Sequence, residues 1–554
     1  MALEKDIVVV GAGGAGLAAA IVAARQGLKV LVIEKTGVYG GATAWSGGNV
    51  WVPVNSFAAE FGIYDDRERA FKYLQQVLGV DFDADSVRAF LDAAPRMLNF
   101  FQDHTAVQFE LQSKFADLYP LMDGASKGGR CVTPLPFDGK KLGHEFNYLR
   151  GPLEQVNAPF GMMIGFGDIE HLKGAGKSLK SFLHVLTMVG RHVKDKLLYK
   201  RSTRLTMGNA LAARLLRSAL DSGVEFWRET DAQQLLMEAG TVTGLYVKRE
   251  GVTVKVKARR GVILASGGFS ANKEMRDRWL PFAGHHVSHM PEGNTGDGIN
   301  MALASGGQLS DHNRQNGDWV VSSVMKDRDG RQTKCLHTIL DRPKPGCLAV
   351  NMAGQRFCNE ADRNMVAAMH ASNSVPAFLI GDQRFIKKYG MGLVNPGGIG
   401  LKKFIESGYL VKANSLAELA QAIHIDAEAL EATVQRFNLF ARHGADEDFG
   451  KGTSVQDRDN GDALHKPNPC LGELVEAPFY AVKILPGDAS TWLGLSVDAR
   501  CRVLSGDNTV IRGLYAVGLD ANSLWCGVPP ALGANNTLSL TRGYIAAMDM
   551  VAEA

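Results

Sequence analysis

The sequence predicts an α/β protein: a Rossmann-like nucleotide-binding domain, discontinuous along the chain, with an inserted α+β domain. Three observations predict it. Residues 7–10 read Ile-Val-Val-Val, a continuous apolar run suited to a strand buried on both faces, as in a parallel sheet. Gly11, Gly13 and Gly16 follow at G-x-G-x-x-G spacing. Far downstream, residues 513–520 (Gly-Leu-Tyr-Ala-Val-Gly-Leu-Asp) again read as strand, tight turn and acid, so the end of the chain returns to complete the first domain. The expected division is 1–305 for the first part of the nucleotide domain, 306–475 for a substrate or capping domain, and 476–554 for the second part.

The opening turn carries a mechanism at each glycine. Gly11 allows a tight turn, Gly13 lets a pyrophosphate approach the backbone, and Gly16 lets helix and strand pack closely. Ala15 lies among them. Residues 17–26 are Ala-rich without a breaker, and predict a helix whose positive end faces the phosphates. Residues 28–33 are a second buried strand. Glu34 ends it, roughly 20 residues past the glycines, where a carboxylate accepts from an adenosine ribose; Lys35 follows. A lone glycine motif is weak, but here strand, helix, strand and acid stand in order.

A second glycine-rich stretch comes next, Gly40-Gly41-Ala42-Thr43-Ala44-Trp45-Ser46-Gly47-Gly48-Asn49-Val50-Trp51. Small residues let backbone amides and the hydroxyls of Thr43 and Ser46 approach a ligand that continues beyond the pyrophosphate. A nicotinamide dehydrogenase has no need of such a stretch here.

The totals exclude other classes. At 554 residues two or more domains are expected. A hydrophobic content of 45% with 21% charged residues belongs to a globular protein, and the net charge of +3 comes without a basic block, so nucleic acid is not indicated. Seven cysteines are scattered without a C-x-x-C pair, so neither a metal site nor a disulfide scaffold is expected. No signal peptide and no membrane-spanning run is evident, and the expected compartment is the cytoplasm.

Residues 67–78 and 86–101 read as core-facing amphipathic helices. Residues 115–138 are a loop that carries Tyr119. Residues 151–205 are poorly patterned, with Met and Gly clusters, and fit an inserted lid or a partner surface. A helix over 208–222, strands over 224–226 and 234–237, and a hairpin over 241–257 follow. A further buried strand ends in Ala265, Ser266 and Gly267, with Asn272 after it. Residues 293–298 lead through Asp297 into another helix, and 416–439 read as a helical pair.

These motifs together resemble the 3-ketosteroid 1-dehydrogenase branch of the fumarate reductase and succinate dehydrogenase flavoprotein superfamily, most specifically in the 40–51 string. The resemblance implies a GR2-type fold and FAD, held non-covalently because no attachment motif is evident. It implies contacts from the glycines and loop residues above, from the backbone of Asp231 and Ala232 to adenine, and from Gly518, Asp520, Gly533, Asn535, Asn536 and Leu538. Asn535 and Asn536 are expected at a helix N-terminus facing the flavin, with an N-cap role as the plain alternative.

Members of that branch remove hydrogen from adjacent carbons beside a ketone. Enolate charge must be stabilised as it develops, and the proton acceptor must lie within reach. The branch's loop tyrosine is matched by Tyr119, and its C-terminal Tyr-Pro-Gly-Pro-Gly aligns on residues 529–533, Pro-Pro-Ala-Leu-Gly. The glycine whose N–H holds the ketone oxygen is thus kept as Gly533. The tyrosine that shares that task is replaced by Pro529, and the base tyrosine falls on Asn364. The expected catalytic residues are therefore Tyr119 and Gly533, the expected reaction introduces a C=C bond beside the ketone of a cyclic or steroid-like substrate, and a different, smaller cyclic ketone or enone is one reading of the two missing tyrosines. Trp492, Trp525 and Trp45 are candidate apolar walls, beside Pro529 and Asn364. A phenol ordinarily titrates near pH 10, so Tyr119 needs a partner; Asp117, His104 and Arg130 lie near it in sequence. A separate electron acceptor is expected, and an oligomer is open. Reduction of an activated C=C and a decayed subunit are the alternatives; residues 527–540 hold no Arg or His to clamp a dicarboxylate.

Overall fold

The computed structural model describes residues 3–153, 161–327, 329–338 and 340–553. They form two compact units. The first comprises Met1–Asn272, Pro291–Asn316 and Thr491–Ala554; the second comprises Lys273–Met290 and Gly317–Ser490. The expected borders at 305/306 and 475/476 are thus displaced: residues 273–290 and 476–490 belong to the second unit, because they supply its strands Val287–Ser288 and Phe479–Thr491.

In the first unit, Leu3–Val10 lies parallel between Val252–Leu264 and Val30–Ile33, and Glu225–Trp227 extends the sheet beyond the latter. Ile7, Val8 and Val9 are fully buried, as their apolar run requires. Thr241–Arg249 and Val252–Leu264 form the expected hairpin, Thr230–Glu238 adds to its edge, and Val510–Ala516 pairs in parallel with Val252–Leu264. The C-terminal helix Ala534–Ala552 packs on the first helix, so closely at Gly543 that an added Cβ would stand 2.6 Å from the Ala15 carbonyl oxygen.

The amphipathic stretches form helices Arg67–Leu78 and Ala84–His104. The first helix starts at Gly14, three residues earlier than the Ala-rich run indicates, because glycines 14 and 16 sit in its first turn. The region 151–205 contains two helices, Phe166–Gly174 and Leu179–Tyr199; residues 154–160 of that region lie outside the described residues.

The aromatic core beneath the 40–51 loop joins Trp51, Tyr73, Phe90 and Trp525, with the Trp525 ring edge-on to Phe90 at 5.2 Å and to Trp51 at 6.1 Å. Beside it Arg130 is buried between Asp65 (2.6 Å) and Asp117 (2.8 Å). Asp117 also accepts from Trp51 Nε1 at 2.8 Å and from the Ser126 N–H at 2.8 Å.

In the second unit, Phe479–Thr491 is the central strand, pairing with Ala377–Gly381 and Leu410–Ala413; Cys347–Val350 lies outside Ala377–Gly381. The helices Leu416–Ile423 and Ala427–His443 cover one face. A buried charge cluster ties the middle together. Arg356 grips Glu360 (2.9 and 3.0 Å) and Asp446 (3.0 and 2.9 Å), and Lys451 lies 3.3 Å from Glu360 while donating to the Cys347 carbonyl at 2.6 Å. Burial alone would raise the Glu360 carboxyl; Arg356 and Lys451 overcome it and hold it at about 2.

A carboxyl held below its unfolded value stabilises the fold fully above that value, and the contribution is lost as pH falls through the window toward the folded one. The melting temperature of the wild type should therefore drop between pH 4.5 and about 2 more steeply than that of Glu360→Gln. At neutral pH that variant, which leaves buried cations underpaired, should lose about 3–5 kcal/mol by chemical denaturation. Parallel Tm–pH curves would contradict the assignment.

Candidate active site

The site grows from the first turn. Gly11 has φ +111°, and a Cβ there would lie 2.2 Å from the Ala265 carbonyl oxygen; one on Gly16 would lie 2.0 Å from the Gly11 oxygen. These two glycines serve the chain's own packing. Gly13 differs: its added Cβ would meet nothing nearer than Gly41 Cα at 3.9 Å. The N–H groups of Gly13 and Ala15 find no acceptor among the described residues, and the positive end of Gly14–Arg25 faces the same space. This cradle is open where a phosphate must come close, and it fits a dinucleotide.

Glu34 stands at the end of its strand with Oε2 accepting from the Ala12 N–H (3.0 Å) and Oε1 from the Thr36 N–H (2.9 Å) and hydroxyl (2.8 Å). Lys35 reaches the 293–298 loop, pairing with Asp297 at 2.9 Å and donating to Thr295 Oγ1 at 2.6 Å. A groove of about 570 Å³ runs along Thr230–Glu238 past Ala232 to Asp297. Asp231, next to Ala232, is paired in the sheet with Lys248.

The second glycine-rich stretch turns back on the cradle. Thr43 Oγ1 accepts from the Gly14 N–H at 3.1 Å, and Ser46 Oγ donates to the Thr43 carbonyl at 2.9 Å and accepts from the Gly48 N–H at 3.1 Å. Gly40 opens the 3-10 turn Gly41–Trp45, which carries Ala42, and Gly47 is exposed. Asn536 Nδ2 donates to Ser46 Oγ (3.2 Å) and to the Asn49 carbonyl (3.0 Å), tying the C-terminal helix to this loop. Asn535 sits half-buried in that helix's first turn. The buried Asn49 Oδ1 has no hydrogen-bond partner among the described residues, an orphaned acceptor that an N–H donor of a bound ligand would satisfy. Asn49 was legible only as part of the string.

The remaining expected site residues are placed as follows. Asp520 presents no oxygen outward: fully buried, it accepts from the Ser266 N–H (2.5 Å), Ser266 Oγ (3.0 Å) and the Gly268 N–H (2.9 Å), and burial pushes its carboxyl up. It clasps the 265–268 turn, whose Ser266 Oγ in turn accepts from the Gly298 N–H and whose Gly267 carbonyl accepts from Asn294 Nδ2. Asn272 closes the same region on the Thr295 carbonyl at 2.9 Å, and Gly518 lies against Ala15. Leu538 is 5% exposed and points into the core. Trp525 and Trp492, at 0% and 3% exposure, are buried, and Pro529 is buried as well. Trp45 is half-buried; its Nε1 donates to the Gly151 carbonyl at 3.0 Å, and Arg150 lies over its ring at 5.3 Å. Arg150, which sequence reasoning missed, is lowered by burial while the charges of Glu34 and Glu292 oppose that shift.

The catalytic candidates of the first unit come together through one carbonyl. Pro530 C=O accepts from Tyr73 Oη (2.6 Å) and from the Leu118 N–H (3.0 Å), and Tyr73 Oη accepts from the Tyr119 N–H (3.3 Å). The Tyr119 loop is thereby held to the 529–533 turn. Gly533 has φ +86° and starts the C-terminal helix; a Cβ there would strike Asn49 at 2.5 Å. Its N–H donates to no atom among the described residues. Asp117 and Arg130 do not reach out as tuners, being committed to Asp65, Trp51 and Ser126, and burial pushes the Asp117 carboxyl up. His104 is exposed at the end of its helix. Asn364 belongs to the second unit, where it is exposed and precedes the helix Met365–Ala371.

The family described as "FAD binding domain" matches residues 6–535. The chain belongs to this family. It is 38% identical, over 98% of this chain and 93% of the relative, to a 4-oxocyclohex-2-ene-1-carboxylate 5-dehydrogenase of Sinomonas cyclohexanicum. It is 36% identical to a 3-oxosteroid 1-dehydrogenase of Mycolicibacterium smegmatis, over 100% of this chain and 98% of the relative. The crystal structure of a 3-ketosteroid delta1-dehydrogenase from Sterolibacterium denitrificans, in complex with 1,4-androstadiene-3,17-dione, superposes with a TM-score of 0.91 at 34% identity, covering 100% of both chains. This FAD-binding protein is thus an FAD-dependent oxidoreductase of the CH–CH dehydrogenase branch. Among the described residues, no helix is long and apolar enough to cross a membrane.

The glycines separate packing from ligand binding. Gly13→Ala should leave the melting temperature of the apoprotein unchanged within about 1 °C, corresponding to a few tenths of a kcal/mol, while weakening FAD binding at least about tenfold in a fluorescence titration. Gly16→Ala should instead destabilise the apoprotein by about 1–3 kcal/mol. Equal behaviour of the two variants would refute the division.

Proposed function

We propose that this enzyme desaturates a single-ring ketone or enone, with Tyr119 moving the α-proton and the Gly533 N–H holding the carbonyl oxygen. The observation that carries the reading is the Pro530 carbonyl, which binds the Tyr119 loop and the Gly533 turn into one piece and leaves the Gly533 N–H uncommitted. Bound flavin supplies the acceptor for the β-hydrogen as hydride. The cradle at Gly13, the carboxylate of Glu34 and the loop around Thr43, Ser46 and Asn49 are the groups we assign to holding it.

An α-proton leaves only as charge on the ketone oxygen is stabilised, and a backbone donor fixed at a helix start meets that charge without reorganising. Tyr119 Oη passes the proton from carbon toward solvent. Neither Pro529 nor Asn364 can take part in proton transfer, because one lacks a polar side chain and the other is an amide. The two curated relatives quoted above are named for ring ketones, one of them monocyclic. The loss of hydroxyls at Pro529 and Asn364 favours the monocyclic class for this chain. We assign the reduced enzyme a separate electron acceptor and a cytoplasmic location.

Anaerobic mixing with cyclohexanones, cyclohexenones and 3-ketosteroids should bleach the oxidised flavin absorbance fastest with a single-ring substrate. Tyr119→Phe should keep its FAD spectrum and lose about 10²–10⁴-fold in the bleaching rate. Unchanged bleaching in that variant would remove Tyr119 from the chemistry, and bleaching by steroids alone would overturn the substrate class.

A further inference from the structure

The helix Leu179–Tyr199 carries its apolar residues on the wrong side for a core helix. Met188, His192 and Asp195 turn inward against the protein, whereas Leu179, Phe182, Leu186, Val193 and Leu197 are exposed by 74, 51, 56, 53 and 80%. Steps of three, four and seven place them in a single stripe along the 21-residue helix, about 30 Å long. A contiguous apolar stripe of this length on a solvent face marks a surface that another phase or molecule covers.

Charge identifies the cover. Lys180, Lys194, Lys196 and Lys200 are exposed around the stripe. Asp195 is the one acid between residues 171 and 220, and it is buried, accepting from the Thr203 N–H (2.9 Å) and hydroxyl (2.7 Å) with Arg191 at 3.7 Å. The exposed surface of the helix is therefore apolar and cationic with no compensating acid, in a chain whose overall net charge is only +3. A second copy laid on this stripe would set like charges against each other. A bilayer whose headgroups are anionic matches both halves, taking the leucines and phenylalanine below the headgroups and pairing the lysines at the interface.

We propose that this helix is an in-plane membrane anchor that docks the enzyme on anionic lipid surfaces without crossing them. Full-length, FAD-loaded protein should sediment with phosphatidylcholine vesicles containing phosphatidylglycerol and remain in the supernatant with phosphatidylcholine alone. Phe182→Ser combined with Leu186→Ser should lower the bound fraction, and Lys194→Glu combined with Lys196→Glu should weaken binding about tenfold or more while reducing its salt dependence. These sites are on the surface, so an unchanged flavin spectrum should accompany each variant. The proposal fails if the wild type ignores both kinds of vesicle, or if both variants bind as well as it does. It also fails if the wild type is a dimer that Phe182→Ser with Leu186→Ser converts to a vesicle-indifferent monomer, since a second copy would then cover the stripe.

Discussion

The first unit depends on backbone approaching backbone at the turn after its first strand. Gly11 lies so close to Ala265 that no side chain fits between them, and the strands ending at Val10 and Leu264 are thereby locked level with each other. That level decides where everything else can reach. The Asp520 clasp holds the 265–268 turn from one side, and Thr43 holds the helix start from the other. Gly543 brings the C-terminal helix onto the first one, so that Asn536 can bridge to Ser46. A cofactor cradle with fixed donors follows from sheet register, with little contribution from flexible side chains.

Charge is buried in each unit for a related reason. Arg130 sits among Asp65, Asp117 and Tyr73, and Arg356 sits among Glu360, Asp446 and Phe437. Taking such ions out of water costs several kcal/mol each, and their pairing roughly offsets it, so neither cluster is a strong source of net stability. Their effect is geometric. Arg130 fixes Asp117 in the loop that carries Tyr119, and Arg356 fixes Glu360 in the segment that precedes Asn364. Bidentate guanidinium contacts tolerate little displacement, which suits loops that must present one residue at one place.

What could be read from the chain divides along sequence distance. The glycine turn, Glu34, the 40–51 loop and the hairpin are local patterns, and each appears where its spacing puts it. Tyr73 was read only as one more core position of an amphipathic helix, because its hydroxyl meets Pro530, 457 residues away. Trp492, Trp525 and Leu538 are buried, and their role was not legible for the converse reason: a large apolar residue near a site motif has the same sequence signature whether it lines a wall or fills the core behind it. The helix Leu179–Tyr199 went unread because periodicity gives the width of an apolar face and not the side it turns to.

On the proposed reading, with the Gly533 N–H on the ketone oxygen, the replacement of a tyrosine by Pro529 has a chemical consequence for the substrate. Two successive prolines, each with φ confined near −65°, stiffen the turn that ends at Gly533, so the remaining N–H donor stays aimed although the hydroxyl is gone. One fixed donor in place of two still leaves the enolate short of about 3–4 kcal/mol of transition-state stabilisation. On the proposed reading the substrate makes up the difference. A saturated ketone offers less, since its α-proton gains nothing beyond the enolate itself. A six-membered ring that already carries one C=C conjugated to the ketone offers more, because the second desaturation extends conjugation and leads toward an aromatic phenol, and part of that gain is present as the proton leaves. On the proposed reading, a site with a rigid backbone donor at Gly533 and one loop tyrosine is matched to a ring enone more closely than to a saturated ketone.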